Sequence, residues 1–277
     1  MSASPDHAAA VKSTTVSSDG TTIAFEQSGD GPALILVSSA LADRSDAKKL
    51  AALLAVEFTV INYDRRGRGS SSDHAEYAVE REIEDIAALI EYAGGSASVF
   101  GSSSGAVLAL RAAASLKVDR LALYEPPFAV TDESFRPPAG FAGHIGTLLA
   151  EGRRGEAVKA FMVQAQGMPA LMVHAMRLMP RAWADLKEMA HTLPYDILVM
   201  GDTQQGRPLG TEPWSGVAAP TLVLTGSRSP DGFQQAARSL AGVLPDAGHR
   251  KVHGLNHGAV VMAPKKLAPS LTAFLRS

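Results

Sequence analysis

Apolar and polar positions along the chain follow two rhythms. Near the start, "KSTTVSS" and "TTIAFEQSG" flank Asp19-Gly20. Alternating segments around an Asp-Gly pair predict a β-hairpin, with the pair supplying the positive φ angles of a tight primed turn. After the hairpin, short runs that are apolar at nearly every position alternate with longer segments of helical spacing. Strands are expected at "ALILVSS" (33–39), "FTVINYD" (58–64), "SASVFGS" (96–102) and "RLALYE" (120–125). Helices are expected at "SDAKKLAALLAVE", "AVEREIEDIAALIEYAGG" and "SGAVLALRAAASL" between and after them. From Pro126 to Trp214 the strand signal lapses into methionine-rich helical segments broken by prolines. It resumes with "TLVLTG" (221–226), a helix at "QQAARSLAGVL", a strand at "HRKVHG" (249–254) and a closing helix through "LAPSLTAFLRS".

Strands that are apolar throughout and separated by helices imply a mostly parallel sheet covered by helices on both faces. The α/β pattern interrupted by a helical stretch reads as one sheet carrying an inserted helical cap. The division expected is a loose N-terminal tail over 1–12, a core over 13–125 and 215–277, and a cap over 126–214. Composition changes this picture little. At 277 residues, 46% hydrophobic and 19% charged, the chain has the make-up of an ordinary globular protein. A formal charge of −2 gives no electrostatic reason to expect nucleic acid or an anionic membrane surface as partner. No apolar run nears the roughly 20 residues of a membrane helix, and "MSASPDHAAAVKS" lacks the basic and apolar regions of a secretory signal. The sequence has no cysteine, which removes disulfides, thiolate metal sites and a cysteine nucleophile and suits a cytoplasmic location. No histidine and carboxylate cluster has metal-ligand spacing, so no metal is expected. A homodimer is left open.

The candidate chemistry begins at "VFGSSSGAV". Of three consecutive serines, only Ser103 has glycine two residues to either side, at Gly101 and Gly105. A sharp strand-to-helix turn that presents a serine needs small residues at those places. A strand before it and an alanine-rich helix after it complete the context, and the helix directs its N-terminal amides toward charge at the serine. The bland reading is a Gly/Ser turn without chemistry. A serine nucleophile needs a base. His257 in "VHGLNHGAV" falls between the last strand and last helix, at the sheet edge where sites of this architecture collect. His253 is its rival, placed within the strand. His174 and His191 fall in the cap, and His7, His74, His144 and His249 read as tail or loop residues.

With "INYDRRGRGSS" after a strand, "VFGSSSGAV" at the turn, "TLVLTG" after the cap and "GLNHG" near the end, the chain resembles the α/β-hydrolase superfamily from about residue 13 onward. The resemblance implies an α/β-hydrolase fold and a cofactor-free catalytic triad. Most members carry an aspartate shortly after the first post-cap strand. Here "GSRSPDG" puts Ser229 there and Asp231 two residues later. Glu125, at the end of the strand preceding the cap and stiffened by Pro126-Pro127, is the other candidate acid. One group of haloalkane dehalogenases and the zearalenone lactonases are similar in placing a glutamate there. The acid's task is to fix the imidazole tautomer, with Glu125 favoured and Asp231 the alternative. Positions carried over for the oxyanion hole give the backbone N–H groups of Ala40 and Ser104, although Ser38-Ser39-Ala40 replaces the His-Gly of many relatives. The arginines of "YDRRGRGSS" are expected to brace the loops around the site.

Met168, Met172, Met176 and Met179 recur at helical spacing and form one face if their helix is continuous. That stripe packs on the core or forms a soft wall of an apolar pocket. Met168, Met172 and Trp183, with the Ser38 and Ser39 hydroxyls, are therefore the pocket candidates. The function these signs favour is cofactor-free hydrolysis of an ester or lactone of a fairly hydrophobic small molecule. Carbon–carbon bond hydrolysis, cofactor-free dioxygenation and a non-catalytic small-molecule receptor are the alternatives on the same fold.

Overall fold

The computed structural model describes residues 10–277. The strands are β1 (Val11–Val16), β2 (Thr22–Ser28), β3 (Ala33–Val37), β4 (Thr59–Tyr63), β5 (Ser98–Ser102), β6 (Leu121–Tyr124), β7 (Thr221–Gly226) and β8 (Ala247–Val252). They form one sheet in the order β1-β2-β4-β3-β5-β6-β7-β8, antiparallel where β2 meets β1 and β4 and parallel elsewhere. The expected tail lies outside the described residues up to residue 9, and the hairpin strand already begins at Val11.

The strands are apolar throughout because both faces of the sheet are covered. In β3, Ile35 and Val37 face a cluster built with Leu89, Val107, Leu110 and Leu240, while Leu34 and Leu36 face Leu50, Leu54, Leu267 and Leu271. The first set lies on α2 (Val79–Tyr92), α3 (Ser104–Ala113) and α9 (Asp231–Val243), the second on α1 (Arg44–Leu54) and α11 (Pro264–Leu275). The period-2 alternation of a strand thus sends successive side chains into two different cores. Between β6 and β7 come α4 (Phe141–Ala150), α5 (Arg154–Ala160), α6 (Ala170–Met176), α7 (Pro180–Met189) and α8 (Leu193–Met200). Their own core, with Phe141, Ile145, Val158 and Leu193, takes in Ala40 and Leu41 from the loop after β3. A four-residue helix, α10 (Ala259–Met262), precedes α11.

Four local expectations need correction. Only Gly20 of the Asp19-Gly20 pair has positive φ, at 87°, and Ser17 N–H bonds Thr21 C=O, so the hairpin closes through a three-residue loop. His249 is not a loop residue: it lies in β8 with its Nε2 2.8 Å from Thr225 Oγ1. His144 sits within α4, and His253 follows β8 rather than lying in it. Among the described residues no helix is long and apolar enough to cross a membrane.

Candidate active site

Among the described residues, three that are not glycine have positive φ: Leu41 at 55°, Ser103 at 53° and Glu125 at 49°. Each follows the carboxyl end of a strand, β3, β5 and β6 respectively. Backbone of this kind costs about 1–3 kcal/mol per residue and persists only where its surroundings fix it. At Ser103 those surroundings are visible. Its N–H donates to Tyr124 C=O at 2.9 Å, and its own C=O accepts from Ala106 N–H at 2.9 Å. A Cβ on Gly101 would run into Gly105 C=O and the Ala106 Cα, and one on Gly105 would run into Ser38 C=O. The glycines at ±2 are therefore steric requirements of the turn that lifts Ser103 out of the sheet.

His257 sits on the loop between β8 and α10. Tyr124 Oη–H holds that loop by donating to Asn256 C=O at 2.6 Å, and Phe233 stacks on the imidazole with ring centroids 4.6 Å apart. His257 Nε2 lies 3.1 Å from Ser103 Oγ, and Nδ1 lies 2.8 Å from Glu125 Oε2. A carboxylate only accepts, so the ring proton belongs on Nδ1 and the Nε2 lone pair faces the serine hydroxyl. Glu125 is fully buried, and its other oxygen accepts the Gly226 N–H at 2.7 Å. Asp231, the alternative acid, is exposed at the start of α9, while Nδ1 faces Glu125.

Behind this row lies a buried ionic cluster that pattern reading does not assemble. Arg65 donates to both Glu82 oxygens at 2.7 and 2.6 Å and to Asp196 Oδ1 at 2.7 Å. Arg68 donates to Asp196 Oδ2 at 2.6 Å, to Ser39 C=O at 2.6 Å and to Thr192 Oγ1 at 3.1 Å. Asp196 also accepts the Ser104 hydroxyl at 2.8 Å. Burial alone would push the Asp196 carboxyl up, but Arg68 and Arg65, aided by Ser104, hold it below the ordinary aspartate value. The arginines brace the loop after β3, as their setting in "YDRRGRGSS" suggests.

A cavity of about 590 Å³ opens over the serine. Ala40, Ser103, Ser104 and His257 form its floor, and Phe128, Phe135, Phe141, Phe161 and Phe233 supply much of its wall. The expected pocket residues Met168, Met172 and Trp183 are not on that wall. The methionine face breaks because Pro169 starts a separate seven-residue helix, α6. Met172 is 54% exposed, Met168 packs at the edge of the cap core, and Trp183 is buried in it under the Arg177 guanidinium. Ser38 and Ser39 also stay off the wall. The Ser38 hydroxyl donates to Ala42 C=O at 3.3 Å, and Ser39 serves Arg68 through its carbonyl. The phenylalanines carried no periodic signal. Asp196 did stand out in another way, as the lone acid in the apolar "LPYDILVM".

Comparison with known proteins places these features in context. The sequence model of the alpha/beta hydrolase family matches residues 34–264. The chain is 47% identical to an alpha/beta hydrolase from Sphaerobacter thermophilus DSM 20745, whose crystal structure superposes with a TM-score of 0.87 over 95% of this chain and 99% of that one. It is 26% identical over 262 residues to the polyketide synthase ThaQ of Burkholderia thailandensis, covering 89% of this chain and 12% of that protein. It is also 38% identical over 95 residues to the uncharacterized hydrolase YraK of Bacillus subtilis, covering 33% of this chain and 35% of that one. The chain therefore spans only a minor part of the length of either curated relative.

Proposed function

The chain belongs to the alpha/beta hydrolase family, and from that premise we propose that it is a serine hydrolase cleaving carboxylic esters or lactones of fairly hydrophobic small molecules. The observation that carries this reading is the unbroken row from Ser103 Oγ through His257 to Glu125, at 3.1 and 2.8 Å. In the proposed reaction His257 Nε2 takes the Ser103 proton as Oγ attacks the carbonyl carbon. Glu125 stabilises the imidazolium that forms and keeps its tautomer. The N–H groups of Ala40 and Ser104 receive the oxyanion. The first N–H groups of a helix have no partner within it, which leaves that of Ser104, first residue of α3, free for this task.

Collapse of the tetrahedral intermediate expels the alcohol, protonated by His257, and leaves an acyl group on Ser103. Water activated by the same imidazole then releases the acid. No step calls for a cofactor. The phenylalanine-rich wall supports a hydrophobic acyl or alcohol group, since apolar lining with few polar groups is the usual make-up of small-molecule sites.

A fluorophosphonate probe tests the central claim. Labelling of the folded protein at Ser103, lost in Ser103→Ala, is the expected result, together with Ser103-dependent hydrolysis within a graded panel of esters and lactones. Absence of labelling on folded protein would remove the proposal and leave the fold serving another purpose, such as ligand binding.

A further inference from the structure

The charges around the cavity suggest which esters fit. Among the described residues on its wall there is no lysine or arginine, and the titratable groups are Asp196 and His257. Both carboxylate oxygens of Asp196 are occupied, Oδ1 by Arg65 and Ser104 and Oδ2 by Arg68. The two guanidiniums aim their remaining donors at Glu82, Ser38, Ser39, Ala42 and Thr192. Arg111, behind the cavity residue Gly201, donates Nε–H to Val199 C=O at 2.7 Å and lies over the Trp214 ring. Arg65 and Arg68 balance Glu82 and Asp196. Glu125 then remains as an uncompensated negative charge while His257 is neutral, the state in which the imidazole can accept the serine proton.

A carboxylate on the bound substrate would lose its hydration here, meet no cation on the wall, and face the field of Glu125. Burying an ion without a partner is far costlier than burying the same chain ending in a methyl group. We propose that this site selects uncharged esters and lactones and excludes substrates bearing a second, ionised carboxyl group. The inference rests on the serine-hydrolase reading for its kinetic form, but the charge selection itself is a property of the cavity. The uncharged polar side chains on the wall include two amides, Gln204 and Gln166. Gln204 has its Nε2–H donated to Pro127 C=O at 3.0 Å, which leaves Oε1 as an acceptor. Gln166 stands exposed at the rim.

Two matched pairs of probes test this. The first is p-nitrophenyl heptanoate against mono-p-nitrophenyl adipate, near-isosteric acyl chains ending in methyl or carboxylate. At pH 7.5 and low salt, kcat/KM should favour the neutral ester by on the order of 100-fold. Gln166→Arg, which places a cation at the rim, should raise kcat/KM for the adipate ester by about 3- to 10-fold, an increase that salt erases. The second pair is 4-phenylbutyramide against 4-phenylbutyrate, measured by calorimetry on Ser103→Ala, which should bind the amide at least about 10-fold more tightly. Ser103-dependent turnover of both esters within about 3-fold, or equal binding of the two phenylbutyryl ligands, overturns charge selection and leaves the hydrolase reading standing. A binding preference for the amide with no turnover of either ester upholds charge selection and removes the hydrolase reading instead.

Discussion

The Ser104 hydroxyl donates to Asp196 Oδ1 across 2.8 Å, joining the first residue of α3 to the buried acid of α8. The same carboxylate holds Arg65 and Arg68, so one side chain of the segment between β6 and β7 anchors it to the loops of the sheet. Removing that acid leaves two buried guanidiniums short of a partner. Asp196→Ala is expected to lower unfolding stability by about 3–5 kcal/mol. Ser104→Ala removes a single hydrogen bond from a carboxylate that keeps both arginines, and should cost about 1–2 kcal/mol. Denaturant titration of the two variants checks the order, and a loss in Asp196→Ala no larger than in Ser104→Ala contradicts the anchoring role.

The anchor is also acid-sensitive. Arg68 and Arg65 outweigh the burial of Asp196 and keep its folded-state carboxyl below the ordinary value of 3.8. A depressed carboxyl binds fewer protons in the folded chain than in the unfolded one. Stability from this group is therefore complete above the unfolded value and declines as pH falls below about 4. Wild-type protein should lose stability on acidification more steeply over that window than Asp196→Asn, which has no proton to take up there. Parallel slopes from pH 5 to pH 3 would show that the loss comes from other carboxylates.

The acid of the proposed triad yields a sharper kinetic contrast. Glu125→Gln preserves shape but replaces an oxygen that only accepts with an amide that can present the wrong partner to His257 Nδ1. A comparable change at a triad acid lowers kcat by about 10⁴-fold, so a loss of about 10³- to 10⁴-fold is expected here. Asp231→Asn, on an exposed side chain, should turn over at the wild-type rate. Steady-state kinetics of the two variants on one ester decides it, and the reverse ranking assigns the acid to Asp231.

Much of the architecture was legible because short apolar runs and helical periodicity are local properties. The "GSSSG" turn was legible for a steric reason, since only Ser103 has glycines where Gly101 and Gly105 prevent collisions. Glu125 and His257 could be named as candidates, but nothing local says that residues 132 apart meet at 2.8 Å. The cap resisted. A methionine face predicted from spacing requires one continuous helix, and Pro169 and the turn over residues 177–179 interrupt it. The cavity wall is built instead by phenylalanines from separate turns and helices, a convergence that no periodicity records. Asp196 reaches the arginines from more than a hundred residues away, and only the apolar company it keeps hinted that it needed partners.

The glycines offer a test of the turn itself, with a built-in contrast in sign. A methyl group on Gly105 would overlap Ser38 C=O, the backbone that leads into the proposed oxyanion loop. Backbone cannot swing aside as a flexible side chain can, so Gly105→Ala must shift either α3 or the loop after β3. The expected result is a loss of stability of about 1–3 kcal/mol, the usual cost of overpacking, with activity on any accepted ester falling at least about 100-fold because the Ser104 and Ala40 amides move apart. Gly143, within α4, has nothing within 4 Å of an added Cβ and an ordinary helical backbone. There the entropy of the unfolded glycine dominates, and Gly143→Ala should raise stability by about 0.5–1 kcal/mol without changing turnover. Thermal unfolding and kinetics of both variants give four signs to compare. Full activity in Gly105→Ala would mean that the turn tolerates what its geometry forbids, and the steric account of Ser103 would fail with it.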